Sequence, residues 1–197
     1  SGRVSLENYE STTMKPEDFR VVYDEYENFL RRCGKIDFDD MLVFTYELLS
    51  ERPDILKMWQ NKFRYILIDE FQDINMIQYD IVKLLAGERQ NVFSVGDDDQ
   101  SVYGFRGAAP AIMKKFPEDF HGTVIEYLNV NYRCSYDIVE CSKRIIQNNR
   151  DRYEKQLRSA FAAGQSDRVH IVKTDSMTEQ NKKIIDRITE LNRAGIP

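Results

Sequence analysis
The chain has 197 residues, a formal net charge of −5 and 42% apolar residues, enough for one ordinary domain or two small ones. No apolar run approaches the length of a membrane span and no signal-peptide pattern is present, so a membrane partner is not expected. Cys33, Cys134 and Cys141 fit neither a zinc spacing nor a disulfide framework, and His121 and His170 are too few for a histidine metal centre; a reducing cytoplasm is the expected setting. The acidic excess sits in residues 1–120, while residues 121–197 are net basic, without a dense Lys/Arg block.

Residues 1–15 show no periodicity. Pro16, Glu17 and Asp18 suit a first helical turn. Phe19, Val22, Tyr23, Tyr26, Phe29 and Leu30 then recur at three and four, and Gly34 supplies the stop. A second helix starts at Asp37 as N-cap, carries Met41, Leu42, Phe44, Tyr46, Leu48 and Leu49, and ends before Pro53. A short third helix over 54–62 turns Trp59 inward, and the aromatics at this spacing read as packing.

Residues 65–68 read as a buried strand of a parallel sheet. Ile74, Ile77, Ile81, Val82 and Leu85 then mark one face of a helix closing at Gly87. Residues 91–95 read as a strand, 110–116 as a short helix and 123–128 as a strand. Ile138, Cys141, Ser142, Ile145 and Ile146 form the inner stripe of another helix. Residues 151–167 are polar and irregular. Residues 169–172 read as a strand, and Ser176 to Glu179 is a capping box opening a helix that runs to Gly195. Alternating strands and helices imply a parallel α/β sheet flanked by helices.

Three polar stretches carry chemistry. Asp69 and Glu70 follow the first strand, where ligands of open α/β sheets bind. Two carboxylates at a buried strand end need a cation or a hydrogen-bonded partner, and Mg²⁺ with nucleotide phosphates suits them; an N-capping acid pair is the plain alternative. The second strand ends in Gly96, Asp97, Asp98, Asp99 and Gln100, followed by Tyr103, Phe105 and Arg106. A neutral amide can bind a phosphate oxygen or water without adding charge, and flat side chains beside a guanidinium suit stacking on single-stranded nucleic acid; a tight loop with inward aromatics is the alternative. In Asn131-Tyr132-Arg133, the tyrosine can stack on a base and the arginine can reach a γ-phosphate, or form a surface salt bridge.

Taken together, Asp-Glu-Phe-Gln-Asp at 69–73, Val-Gly-Asp-Asp-Asp-Gln-Ser-Val-Tyr-Gly-Phe-Arg-Gly-Ala at 95–108 and Leu-Asn-Val-Asn-Tyr-Arg at 128–133 resemble the superfamily 1 DNA helicases of the UvrD/PcrA/Rep type. Residues 36–42 resemble the segment that precedes the acidic strand in that family. The resemblance implies an incomplete RecA-like (P-loop NTPase) sheet. Residues 1–57 would be a helical segment, 58–122 the remainder of a first RecA-like domain and 123–197 the start of a second. It implies ATP, Mg²⁺ and single-stranded DNA as ligands. Asp69 and Glu70 would face the metal, with Glu70 as the base orienting water. Gln100 would link the γ-phosphate to DNA, Tyr103, Phe105 and Arg106 would contact DNA, Tyr132 would stack on adenine and Arg133 would act as an arginine finger. Phe105 stands where Trp is often found, Cys134 where Ser is common and Ile74 where Thr is common.

No Gly-x-x-x-x-Gly-Lys-Ser/Thr run occurs in the sequence, so backbone N–H groups that would cradle phosphates are not supplied in that form. The expectation is an internal helicase segment, inactive alone, whose open strand edges favour self-association. A non-catalytic module binding single-stranded nucleic acid is the alternative. A Mg²⁺ nuclease built on Asp69, Glu70, Asp97 and Asp98 is a third possibility, which leaves Gln100 and Arg133 without a role.

Overall fold
A computed structural model describes residues 13–104, 108–109, 111–150, 152–164 and 169–196. The chain forms two compact units, Ser1–Glu126 with Asp151–Tyr153, and Tyr127–Arg150 with Glu154–Pro197. Among the described residues, no helix is long and apolar enough to cross a membrane.

In the first unit, helix α1 (Pro16–Arg32) begins on a proline, with acids in its first turn and arginines in its last. It stops as the sequence suggests: Gly34 takes φ +60°, and Lys35 N–H donates back to Leu30 O at 3.0 Å. Helix α2 (Phe38–Glu51) opens on a reciprocal cap, Asp40 N–H to Asp37 Oδ1 at 2.8 Å and Asp37 N–H to Asp40 Oδ2 at 3.1 Å. Helix α3 (Pro53–Lys62) leads into strand β1 (Ile66–Ile68). Helix α4 (Met76–Ala86) is capped in the same reciprocal way by Asn75 and Gln78, and strand β2 (Val92–Ser94) follows. β2 pairs parallel with β1, with Ile68 opposite Ser94. Helix α5 (Ala111–Asp119) closes the unit.

The core lies under one face of this two-stranded sheet. Phe71, Tyr79, Ala86, Ile112, Phe116 and Phe120 are buried together, with Ile66, Ile68 and Val92 against them. Phe71 meets Tyr79 and Phe116 edge-on, with centroids 6.0 and 5.3 Å apart. The two acids, Asp69 and Glu70, are therefore followed directly by a residue, Phe71, that is itself locked in the core.

The second unit holds strand β3 (Val130–Asn131), helix α6 (Tyr136–Ile146), strand β4 (Arg158–Ser159) and helix α7 (Met177–Arg193). β3 and β4 pair parallel, Val130 opposite Arg158. Ser176 Oγ caps α7 by accepting from Glu179 N–H at 3.2 Å. The Glu179 carboxylate accepts from Asp175 N–H rather than from the cap residue, so the box closes one residue early.

Several expectations are corrected. The pairing is parallel as expected, in two separate two-stranded sheets among the described residues, and the strand positions differ. Residues 123–128 and 169–172 are not strands; Val124, Leu128 and Ile171 are exposed, and a strand without a paired neighbour leaves its backbone groups unsatisfied. Residues 151–167 were expected to be irregular, yet they supply β4. β1 is half-buried, not buried on both faces: Leu67 and its register partner Phe93 point away from the core and are exposed. Of the α1 stripe only Leu30 is buried, and α6 buries Val139 while Ile138 and Ile145 stay exposed.

Candidate functional site
Parallel pairing brings the ends of β1 and β2 out at the same side of the sheet, and the ladder continues one step beyond them. Val95 N–H donates to Ile68 O at 2.8 Å, and Phe71 N–H donates to Val95 O at 2.9 Å. Asp69-Glu70 and Gly96-Asp97 are thereby adjacent.

Asp69 and Glu70 are exposed, which removes the desolvation argument for a bound cation. Their arrangement is nonetheless specific. Asp69 Oδ1 accepts from Glu70 N–H at 2.9 Å. Glu70 holds φ +50° and ψ +45°, the left-handed region that costs a residue with a Cβ roughly 1–2 kcal/mol. The turn throws its side chain back toward Gln72, whose Nε2 donates to Glu70 Oε2 at 2.7 Å.

Gln72 is 1% exposed. Its other amide atom, Oε1, accepts from Asp97 N–H at 2.9 Å. Asp97 in turn organises the second loop: Oδ1 accepts from Asp99 N–H at 3.2 Å and Oδ2 from Gln100 Nε2 at 2.7 Å. An unbroken polar chain therefore runs from Glu70 through Gln72 and Asp97 to Gln100.

The three aspartates 97–99 hold carboxylate oxygens within 4.8 Å of one another. Each is engaged by a protein donor. Asp98 Oδ2 accepts from Tyr153 N–H at 2.6 Å, and Asp99 accepts from Arg152 Nε and Nη2 at 2.7 and 2.6 Å. The guanidinium sets one positive charge beside the three carboxylates, and its hydrogen bonds to Asp99 hold Arg152 charged beyond its usual range. That arrangement weighs against the nuclease reading, which needs Asp97 and Asp98 for metal. Asp69 and Glu70 are less engaged than Asp97, Asp98 and Asp99. They are hard oxygen donors, and each keeps one carboxylate oxygen without a hydrogen bond among the described residues.

Gln100 and Tyr103 lie on the exposed side of the second loop, Tyr103 at 39% exposure. Phe105 and Arg106 lie outside the described residues. In the second unit, Tyr132 and Arg133 are exposed on the turn after β3. That turn is held by Asn131 Oδ1, which accepts from Arg133 N–H at 2.9 Å and Cys134 N–H at 2.7 Å.

The sequence reading missed Gln72, Asn131, Arg152 and Tyr153 as organising residues. Gln72 carried a faint signal, a polar residue two past Glu70 in the first motif and directly after Phe71. Arg152 and Tyr153 carried none, since nothing local ties them to a loop more than fifty residues upstream.

Residues 3–121 match the UvrD/REP helicase N-terminal domain, and residues 126–196 match the UvrD-like helicase C-terminal domain. DNA helicase II of Rickettsia typhi is 39% identical over 174 residues, 88% of this chain and 26% of that protein. DNA helicase II of Haemophilus influenzae is 44% identical over 136 residues, 69% of the chain and 19% of that protein. The ATP-dependent DNA helicase Rep of Escherichia coli is 41% identical over 146 residues, 74% of the chain and 22% of that protein. The chain thus spans about a fifth to a quarter of the length of these relatives.

Proposed function
Because the chain belongs to the UvrD/REP helicase family, we propose that it supplies part of the ATP- and DNA-handling machinery of an ATP-dependent helicase acting on single-stranded DNA. The observation that carries this reading is the polar chain from Glu70 to Gln100. In the proposal the two ends have different tasks. Glu70 accepts a hydrogen bond from a water and orients it toward a phosphate, while Gln100 senses phosphate oxygens and passes their presence to the loop bearing Tyr103, Phe105 and Arg106. The bases of a DNA strand would stack on the aromatic residues of that loop.

Asp69, with Glu70 beside it, would hold Mg²⁺, whose role is to neutralise phosphate charge. Tyr132 would stack on the adenine and Arg133 would stabilise charge on the transferred phosphoryl group. The small parallel sheets would be portions of RecA-like sheets. The preference for a helicase over a stand-alone nucleic-acid module rests on Glu70: a module that only bound DNA would have no use for a carboxylate held in a strained turn and tied to the sensing loop.

The sequence offers no Gly-x-x-x-x-Gly-Lys-Ser/Thr loop, so this polypeptide by itself is expected not to hydrolyse ATP. Steady-state ATP turnover with single-stranded DNA tests this. Hydrolysis above the level of a Glu70→Gln control overturns it. Fluorescence anisotropy with a labelled oligothymidylate tests the DNA-handling part. Binding that weakens in Phe105→Ala and Arg106→Ala is expected, and absence of binding by the unaltered chain sinks the reading.

A further inference from the structure
We propose that Gln72 is a positioning residue that makes Glu70 and the Gln100 loop move as one piece. The inference rests on the helicase reading for its purpose, but its physical content stands on the amide itself.

A buried amide has two jobs to satisfy, one donor face and one acceptor face. Gln72 is 1% exposed, so water does not do either job. Its donor face meets the Glu70 carboxylate at 2.7 Å and its acceptor face meets the Asp97 N–H at 2.9 Å. Only one orientation of the amide satisfies both partners, since a carboxylate cannot donate and an N–H cannot accept. The orientation is therefore dictated by the neighbours, and the amide acts as a fixed spacer between the two loops.

Two further features point the same way. Gly96 lies directly against this amide: a Cβ there would stand 2.8 Å from Gln72 Oε1, 3.2 Å from its backbone nitrogen and 3.2 Å from Phe71 Cβ. The absence of a side chain at 96 is what lets Gln72 reach Asp97. Glu70, for its part, sits in a left-handed turn that its own side chain disfavours, and the 2.7 Å bond from Gln72 gives that turn a fixed carboxylate direction. Asp97 completes the link, because its Oδ2 holds Gln100 Nε2. A shift of Glu70 is thus transmitted through one side chain and one aspartate to Gln100.

No simple replacement reproduces this. Asn is one methylene short of spanning both partners. Glu has the right length but no donor, and it would face the Glu70 carboxylate with like charge. Met fills the same space with no hydrogen bonds.

The test reads the coupling directly. In the ¹⁵N-labelled chain, Glu70→Gln is expected to shift the side-chain amide resonances of Gln100. In a Gln72→Met background that shift is expected to be lost, with far-UV circular dichroism unchanged. Glu at position 72 (Gln72→Glu) is expected not to restore it. If Met at this position prevents folding, Gly96→Ala displaces the amide from the opposite side and is expected to give the same loss. An equal Gln100 shift with and without the Gln72 amide overturns the proposal. Failure of the helicase reading is registered separately, as no oligothymidylate binding by the unaltered chain, and leaves this resonance measurement intact.

Discussion
Arg152 grips Asp99 through two hydrogen bonds, at 2.7 and 2.6 Å, across 53 positions of sequence. Next to it Tyr153 N–H holds Asp98, and Tyr153 Oη donates to Met113 O at 2.9 Å, so a short segment straps the Gln100 loop to α5. The two charged side chains are 19% and 17% exposed, which sets the pair between a screened surface bridge and a buried one. Arg152→Ala or Asp99→Asn is expected to cost about 1–2 kcal/mol, and the double variant little more than either single one. Urea unfolding monitored by a probe in the first unit checks this. Additive losses would mean the two residues do not act as a pair. Arg152→Lys is expected to recover only part of the loss, because an ammonium cannot make the paired contact.

The strain at Glu70 has its own signature. Its φ of +50° suits glycine, so Glu70→Gly is expected to be more stable than Glu70→Ala by about 1 kcal/mol. Both variants lose the bond from Gln72, so the difference isolates the backbone. Thermal unfolding of the two variants side by side gives the answer; equal midpoints would show that the turn relaxes without the carboxylate.

Tyr79 makes the alkaline limit of the first unit predictable. It is fully buried, and burial first, then Asp119, pushes its hydroxyl well above the ordinary tyrosine range. A group whose folded pKa is raised keeps its contribution below the unfolded value near 10 and loses it as pH climbs past that value. Among the eleven tyrosines, Tyr79 is expected to stay unionised until the unit unfolds, seen as a late step in tyrosinate absorbance. In Tyr79→Phe that step disappears. A Tyr79 that ionises with the exposed tyrosines in the folded chain would contradict the burial argument.

The β1–β2 sheet has two strands among the described residues, and its outward face shows Tyr65, Leu67, Phe93 and Val95. Open edges with apolar side chains favour pairing with another copy. Light scattering is expected to show mass rising with concentration, and Leu67→Lys with Phe93→Lys to suppress the rise. A monomer at all concentrations would remove self-association.

The local features were legible in residues that act on near neighbours. Pro16 and Gly34 mark the ends of α1, Asp37 and Asp40 cap α2, and the acids after residue 68 stand at a strand end, because each of these effects operates within a few residues of chain. The three motif stretches were legible for the same reason. The strands expected at 123–128 and 169–172 failed because apolar composition does not create a ladder partner. The exposure of Leu67 and Phe93 was also hidden, since an uncovered face of a sheet looks the same in sequence as a covered one.

The sequence alone determined which residue types stand at the ends of β1 and β2, and so which family the chain resembles. Tertiary structure alone decided that a buried glutamine joins those ends and that an arginine from position 152 locks one of them. The reason is physical: a hydrogen bond between distant side chains leaves no period, no spacing and no propensity along the chain, and exists only once packing has brought donor and acceptor within 3 Å.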